Sequence, residues 1–266
     1  MPFRKKGLEN VKGRGGDGFD VGGRYGDGRK KNVFLDSLKM IGVCLGIGAW
    51  GYFGVTISQF LVYWIFSFLS ADFQVSWVMA LYDAVMYVVA FLIVAFVPGI
   101  LIRKWRTRRE ELGLTGAPTW KDIGLAMAGF VIYFVCSGVL TSVFRNMFEW
   151  FNVNEAQDVG FNNVMGAPDL LVAFVALVIV APVAEELIFR GWIYGKMRKV
   201  VNAPVAILLV SVLFGVMHGQ WNVAVDVFMM SVILCFMREL TGTVYGGVLV
   251  HMIKNGLAFY LLYIAL

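Results

Sequence analysis

A small set of ionisable side chains lies inside the apolar stretches of this 266-residue sequence. A charged group at membrane depth costs about 3 kcal/mol by insertion scales, so each one suggests a function. Both histidines of the chain belong to this set, and histidine is well matched to proton transfer near neutral pH and to metal binding. The set comprises Asp83, Glu185, Glu186, Arg190, His218, Asp226, His251 and Lys254.

Two adjacent glutamates occur in the apolar sequence LVIVAPVAEELIFRGW. Glu186 precedes Arg190 by four residues, which favours an ion pair on one face of a helix. Glu185 is rotated by about 100° from that face and has no local partner. Pro182 lies just ahead and predicts a kink or a freed carbonyl near the carboxylates. The spacing therefore predicts a structural role for Glu186 and a chemical role for Glu185.

The other candidates come from two later helices. A turn near Val201 joins the glutamate helix to the next one, and Glu185 and His218 lie at similar distances from this turn. In an antiparallel hairpin with a rise of about 1.5 Å per residue they reach the same depth. His251 and Asn255 are four apart on a later helix, so they share one face. All four side chains can therefore converge on one pocket.

Together these side chains are the parts needed to hydrolyse an amide. They include a carboxylate base, a histidine to hold a water molecule, and two polar groups to face an oxyanion. The side chains of Glu185, His218 and His251 would equally make a zinc site with an open position for water. The sequence leaves the metal-free and the zinc-dependent alternatives open.

The composition predicts the elements that position these residues. The chain is 59% hydrophobic and only 15% charged, which is typical of a membrane protein. Apolar runs long enough to cross a bilayer predict an all-α polytopic transmembrane bundle over residues 40–266. The seven predicted spans are 40–69, 75–102, 121–144, 168–198, 203–219, 222–239 and 243–265.

Residues 1–39 differ from the rest because they are rich in Gly, Lys, Arg and Asp. Such a segment buries too little apolar area to fold, which predicts a disordered tail. Its positive charge, like that of the loops after the second and fourth spans, predicts the cytosolic side of a prokaryotic inner membrane. The loop after the third span is acidic instead, with Glu149, Glu155, Asp158 and Asp169. The N-terminus is expected in the cytosol, and nucleic acid is not expected as a partner.

Three motifs resemble those of the CAAX-protease and bacteriocin-processing family (CPBP, also called ABI) of intramembrane endopeptidases. That family is characterised by EExxxR, FxxxH and HxxxN on successive helices. The resemblance covers about residues 168–260, the predicted catalytic core. The matching residues are Glu185, Glu186 and Arg190, then Phe214 and His218, then His251 and Asn255.

The resemblance implies a role for each matched residue. Glu185 would be the general base, with His218 helping to hold the attacking water. His251 and Asn255 would form the oxyanion or ligand side of the site.

The remaining matched residues would support the site. Glu186 and Arg190 would position their helix, and Phe214 would form the wall beneath His218. The sequence EELGLTG at 110–116 also resembles a feature of the family, although a short interfacial turn explains it equally well.

Three further charged residues have no motif context. Asp83 and Asp226 are interpreted as helix-to-helix hydrogen-bonding groups outside the site. Lys254, beside the third motif, is a charge not expected there, and it would pair with Asp226 or Asp83 or extend to the membrane surface.

The function expected from this pattern is hydrolysis of a peptide bond in a membrane-associated or lipid-modified polypeptide. An ion-coupled transporter is an alternative, since buried Glu, His and Asp also form proton relays. It would predict an internal repeat with interrupted helices in both halves, and the sequence has none. A catalytically silent scaffold or immunity-type protein is the other alternative.

Overall fold

The computed structural model describes residues 26–265, apart from positions 156, 158, 162, 163 and 165, and describes side chains from Leu35 onwards. The predicted disordered tail therefore lies outside the described residues over positions 1–25. Asp158, one of the predicted acidic loop residues, also lies outside them.

The described chain is all-helical, as the sequence predicts. Its seven helices are α1 (Gly26–Phe68), α2 (Ser76–Leu101), α3 (Trp120–Met147), α4 (Ala167–Met197), α5 (Ala203–Met217), α6 (Trp221–Thr241) and α7 (Tyr245–Tyr263). A short 3₁₀ turn, Arg103–Trp105, follows α2. The predicted span boundaries agree with these helices to within a few residues, apart from the start of α1.

The start of α1 differs from the sequence prediction. The helix begins at Gly26, ahead of the predicted first span, whereas the compact part of the chain begins at Met40, where the domain boundary was predicted. No proline interrupts this stretch, and the apolar residues Leu35 and Leu38 lead into the apolar run that starts at Met40. Charge composition alone does not reveal how far a long helix extends beyond its apolar part.

Four of the described helices are long and apolar enough to cross a membrane. They comprise Leu35–Phe68 of α1 together with α2, α3 and α4, whereas α5 is a shorter apolar helix. Large apolar side chains such as Phe60, Trp64 and Val131 are more than half exposed, which is expected of helices that face lipid. The chain is therefore an integral membrane protein. The crossing of the bilayer by α5, α6 and α7, and the cytosolic location of the N-terminus, stay predictions.

The helix α4 is irregular on both sides of its glutamates. Two segments, Val175–Val180 and Leu187–Ile193, have π-helical hydrogen bonding, and the α-helical turn between them contains Pro182 and both glutamates. Local π turns widen a helix and often occur at functional sites. The predicted disturbance around Pro182 is therefore present, as two π turns.

The turn that precedes α3 packs closely against the end of α4. A Cβ atom at Gly191 would lie 3.1 Å from the carbonyl oxygen of Leu112, and one at Gly195 would lie 2.7 Å from that of Glu111. In the same region the nearly buried Lys196 donates a 2.7 Å hydrogen bond to Glu111. Glycine after Arg190 thus allows the turn to approach, and this contact anchors the helix that carries both glutamates.

Candidate active site

A cavity of about 690 Å³ lies between α1, α2, α4, α5 and α7. The structure brings together at its wall the four residues expected to do chemistry, Glu185, His218, His251 and Asn255. Phe214 of the second motif also lines it. The wall further includes Asp83, Tyr87 and Lys254, of which Tyr87 had not been singled out in the sequence.

The predicted ion pair between Glu186 and Arg190 is present and fully buried. Nη1 of Arg190 donates to Oε1 of Glu186 over 2.8 Å, and the two side chains are 1% and 0% exposed. The guanidinium also lies over the ring of Phe214, 4.3 Å from its centre. A second donor to the same oxygen is Nδ1 of His251, at 3.0 Å. Glu186 therefore links the first and third motifs directly.

His251 lies between the two glutamates. Its Nδ1 must carry a proton to donate to Glu186, so in the neutral ring the lone pair is on Nε2. This Nε2 is 3.7 Å from Oε2 of Glu185. Two proton acceptors therefore face each other across a separation longer than a direct hydrogen bond.

Glu185 has a partner that the sequence did not reveal. The hydroxyl of Tyr87, on α2, donates a 2.6 Å hydrogen bond to Oε1 of Glu185. Tyr87 lies outside the three motifs, and several other tyrosines occur in apolar stretches. The only sequence signal is its position four residues after Asp83 on one face of an apolar helix. One carboxylate oxygen is thereby held, and Oε2 is left for chemistry.

His218 caps the C-terminal end of α5. Its Nδ1 lies 2.8 Å from the carbonyl oxygen of Phe214, and its ring packs edge-on against the ring of Phe214 with centres 4.8 Å apart. Because a carbonyl only accepts, Nδ1 is the donor and Nε2 is left to interact with water. The FxxxH spacing therefore fixes both the orientation and the tautomer of His218.

Asn255 is fixed by a carbonyl that Pro182 leaves without a backbone donor. In the π turn the N–H of Ala181 bonds to the carbonyl five residues earlier. The same pattern would direct the next N–H to Leu177, but that residue is Pro182, which has none. Nδ2 of Asn255 donates to this Leu177 oxygen over 2.9 Å. Its second N–H hydrogen remains for another acceptor.

Lys254 and Asp226 form an ion pair at the edge of the site. Lys254 pairs with Asp226 at 3.7 Å, one of the two partners expected for it. Asp226 also accepts hydrogen bonds from Tyr133, at 2.7 Å, and from Ser137, both on α3. The predicted helix-to-helix role of Asp226 is therefore confirmed.

Asp83 does not form the helix-to-helix hydrogen bond that was predicted for it. Among the described residues it has no hydrogen-bond or ion-pair partner, and it lines the cavity. The prediction that placed it outside the site is therefore wrong. An isolated carboxylate in a span gives no indication in the sequence of which way it faces.

The residues proposed for zinc do not fit a metal site. In the described part of the chain no group of three His, Cys, Asp or Glu side chains is arranged to hold a metal ion, and this includes Glu185, His218 and His251. Nδ1 of each histidine already donates to an oxygen. One oxygen of Glu185 accepts from Tyr87. These hydrogen bonds leave Nε2 of both histidines and one oxygen of Glu185 open, so it is the placement of the three side chains that does not fit a metal ion, and no metal-dependent step follows from it.

Comparison with known proteins agrees with the motifs. Residues 167–257 match the family model described as type II CAAX prenyl endopeptidase Rce1-like. Over 168 residues, 63% of the chain, the sequence is 26% identical to "Putative membrane peptidase YdiL" of Bacillus subtilis (strain 168), and the match covers 64% of that protein.

A shorter match, over 65 residues and 24% of the chain, is 35% identical to "UPF0177 protein YxdF" of Lactococcus lactis subsp. lactis (strain IL1403) and covers 35% of it. The chain thus spans less than two thirds of the length of either relative. No solved structure matches it significantly. The resemblance inferred from the three motifs is confirmed over residues 167–257, which contain all of them.

Proposed function

We propose that this chain is an intramembrane endopeptidase that hydrolyses a peptide bond in a membrane-associated or lipid-modified polypeptide. The observation that carries the proposal is the arrangement around Glu185. One of its oxygens accepts from Tyr87, the other faces His251, and the cavity beside it is also lined by His218 and Asn255. The match of this segment to a peptidase family supports the same reaction.

In the proposed mechanism Oε2 of Glu185 removes a proton from a water molecule that Nε2 of His218 helps to hold. The hydroxide attacks the carbon of the peptide carbonyl. The carbonyl oxygen becomes an oxyanion, which the second N–H of Asn255 can stabilise. The carbon–nitrogen bond then breaks, and the amine leaves with the proton from Glu185. Nε2 of His251 can take up that proton once it closes to hydrogen-bond distance from Oε2, while Glu186, paired with Arg190, holds the ring.

The proposal is tested with full-length protein in lipid vesicles and three substrates. They are a farnesylated C-terminal CAAX-type peptide, the same peptide without the lipid, and a single-span polypeptide. Cleavage is followed by mass spectrometry in ¹⁸O-labelled water, so that one labelled oxygen in the new carboxylate reports attack by water. Glu185→Gln keeps an acceptor for Tyr87 but cannot take a proton, and we expect it to lower kcat at least about 100-fold. His218→Ala is expected to act in the same direction.

The matched control is Glu149→Gln, which changes an exposed glutamate outside the cavity. It should cleave like the native protein, and all variants should share one thermal unfolding midpoint. Full activity of Glu185→Gln would refute the mechanism. If the native protein cleaves none of the three substrates, the silent scaffold becomes the better interpretation. Elemental analysis gives an independent check, because stoichiometric zinc that is lost together with activity in His218→Ala would contradict the metal-free mechanism.

A further inference from the structure

Asp83 is a carboxylate for which neither the fold nor the proposed mechanism provides a role. It lies on α2, is half-buried, and lines the cavity beside Glu185. Among the residues that the structure describes, none donates a hydrogen bond to it or lies within ion-pair distance. A bound molecule that fills the cavity would remove this half-buried carboxylate from water, which costs about 1–3 kcal/mol for an unpaired polar group and more for an ionised one. The described side chains therefore leave the carboxylate of Asp83 open to a cationic group of a bound molecule.

The two cations described near the cavity are already paired. Lys254, on the same cavity wall, lies 3.7 Å from Asp226. Arg190 donates to Glu186, so its charge is also matched. The cavity can therefore receive one additional positive charge at Asp83 without removing a partner from another acid.

The position of Asp83 relates it to the reacting bond. Asp83 and Tyr87 are one helical turn apart on the same face of α2, about 6 Å along the helix axis. The hydroxyl of Tyr87 contacts Glu185. An extended peptide advances about 3.3 Å per residue, so two residues of substrate cover the same distance. A substrate whose peptide bond lies at Glu185 would therefore bring a side chain two positions away close to Asp83.

We propose that Asp83 is a specificity-determining residue that selects polypeptides with a lysine or arginine within two residues of the bond held at Glu185. The inference rests on the proposed function and adds to it the class of substrate. An ammonium or guanidinium group is satisfied by one carboxylate through a charge-assisted hydrogen bond. A divalent cation needs several oxygen ligands, and Asp83 is not part of any metal-ligand group in the described residues.

The experiment measures binding separately from cleavage. Full-length Glu185→Gln protein in vesicles is titrated with three apolar peptides that differ only in carrying Lys, Met or Glu at one position. The variable residue is placed in turn at each of the four positions that lie within two residues of the central bond. At the selected site we expect the Lys peptide to bind at least about tenfold more tightly than the Met peptide. Adding Asp83→Asn should bring the affinities for the Lys and Met peptides close together, and Asp83→Lys should favour the Glu peptide instead.

The matched control is Asp72→Asn, which removes an exposed aspartate in the turn before α2 and should leave the ratio unchanged. Asp83→Glu keeps the charge and should retain the preference for Lys, so a variant that merely folds poorly is recognised. Equal affinity for Lys and Met peptides at every position, or a preference that survives Asp83→Asn, would overturn the inference. Failure of the native protein to cleave would count against the proposed reaction only, because the affinity ratio is measured without hydrolysis.

Discussion

The phenol of Tyr87 on α2 donates a 2.6 Å hydrogen bond to Oε1 of Glu185 on α4, across 98 residues of sequence. Oε2 of the same carboxylate lies 3.7 Å from Nε2 of His251. The two oxygens of the proposed base are therefore not equivalent, because one is held by a donor and the other faces an acceptor. Proton transfer is expected at Oε2.

Replacing Tyr87 by Phe should lower kcat by about tenfold to a hundredfold while KM changes little. The variant removes a hydrogen bond to a charged group, which contributes about 1.5–3 kcal/mol. The control is Tyr82→Phe on the same helix, where the ring packs against Phe66 and Phe73 outside the cavity wall. Equal kcat in the two variants would show that Tyr87 does not position the base.

The sequence predicted the three motifs and their convergence because their spacings follow helical geometry. The four-residue intervals from Glu186 to Arg190 and from His251 to Asn255 each place two side chains on one face. The level depth of Glu185 and His218 follows from a single hairpin. These relationships depend on local periodicity, which a sequence contains.

Tyr87 and Asp83 could not be assigned in the same way. Their place in the site depends on how α2 rotates against α4, which is set by packing rather than by spacing along the chain. The second contact of Glu186, with His251, has the same origin. Likewise, the acceptor of Asn255 depends on the π register of α4, in which Leu177 lies opposite Pro182. The sequence indicated only that some carbonyl near Pro182 would be free.

The buried pair of Glu186 and Arg190 should behave as a unit. Glu186→Gln or Arg190→Gln alone leaves one charge buried without its partner, and we expect each to lower the free energy of unfolding by about 3–5 kcal/mol. The double variant should lose much less than the sum of the two. Unfolding in detergent with increasing denaturant measures all three. Additive losses would show that the two charges are stabilised separately, and Arg145→Gln, at an exposed arginine, is the control.

Gly247 on α7 provides space for the carboxylate of Glu186. A Cβ atom there would lie 3.2 Å from Oε2 of Glu186 and 3.9 Å from Cβ of Leu234. Gly247→Ala should therefore displace Glu186 from His251, lower the free energy of unfolding by about 1–3 kcal/mol and reduce peptide cleavage. Gly256→Ala on the same helix is the control, because its Cβ would meet Val178 at an ordinary 3.6 Å. If the two variants match in stability and activity, the close approach at Gly247 has no functional consequence.

Glu111, in the turn before α3, should make the stability of the protein sensitive to acid. Burial alone would raise the pKa of this carboxyl group, but hydrogen bonds from Lys196 and Lys199 hold the pKa below its ordinary value of 4.5. A carboxylate whose pKa is lowered by folding stabilises the fold fully above its unfolded pKa, and this contribution is lost as pH falls through the folded pKa. The thermal midpoint of the native protein should therefore decrease below about pH 4.5 more steeply than that of Glu111→Gln.

At neutral pH the Glu111→Gln variant should be less stable than the native protein by about 1–3 kcal/mol, because the nearly buried Lys196 loses its charged partner. The exposed neighbour Glu110 offers the control variant Glu110→Gln, which should follow the native pH curve. Parallel curves for the native protein and Glu111→Gln would show that this ion pair does not anchor α4. A smaller separation between them at high salt would show that the exposed Lys199 supplies much of the effect, since screening weakens exposed pairs more than buried ones.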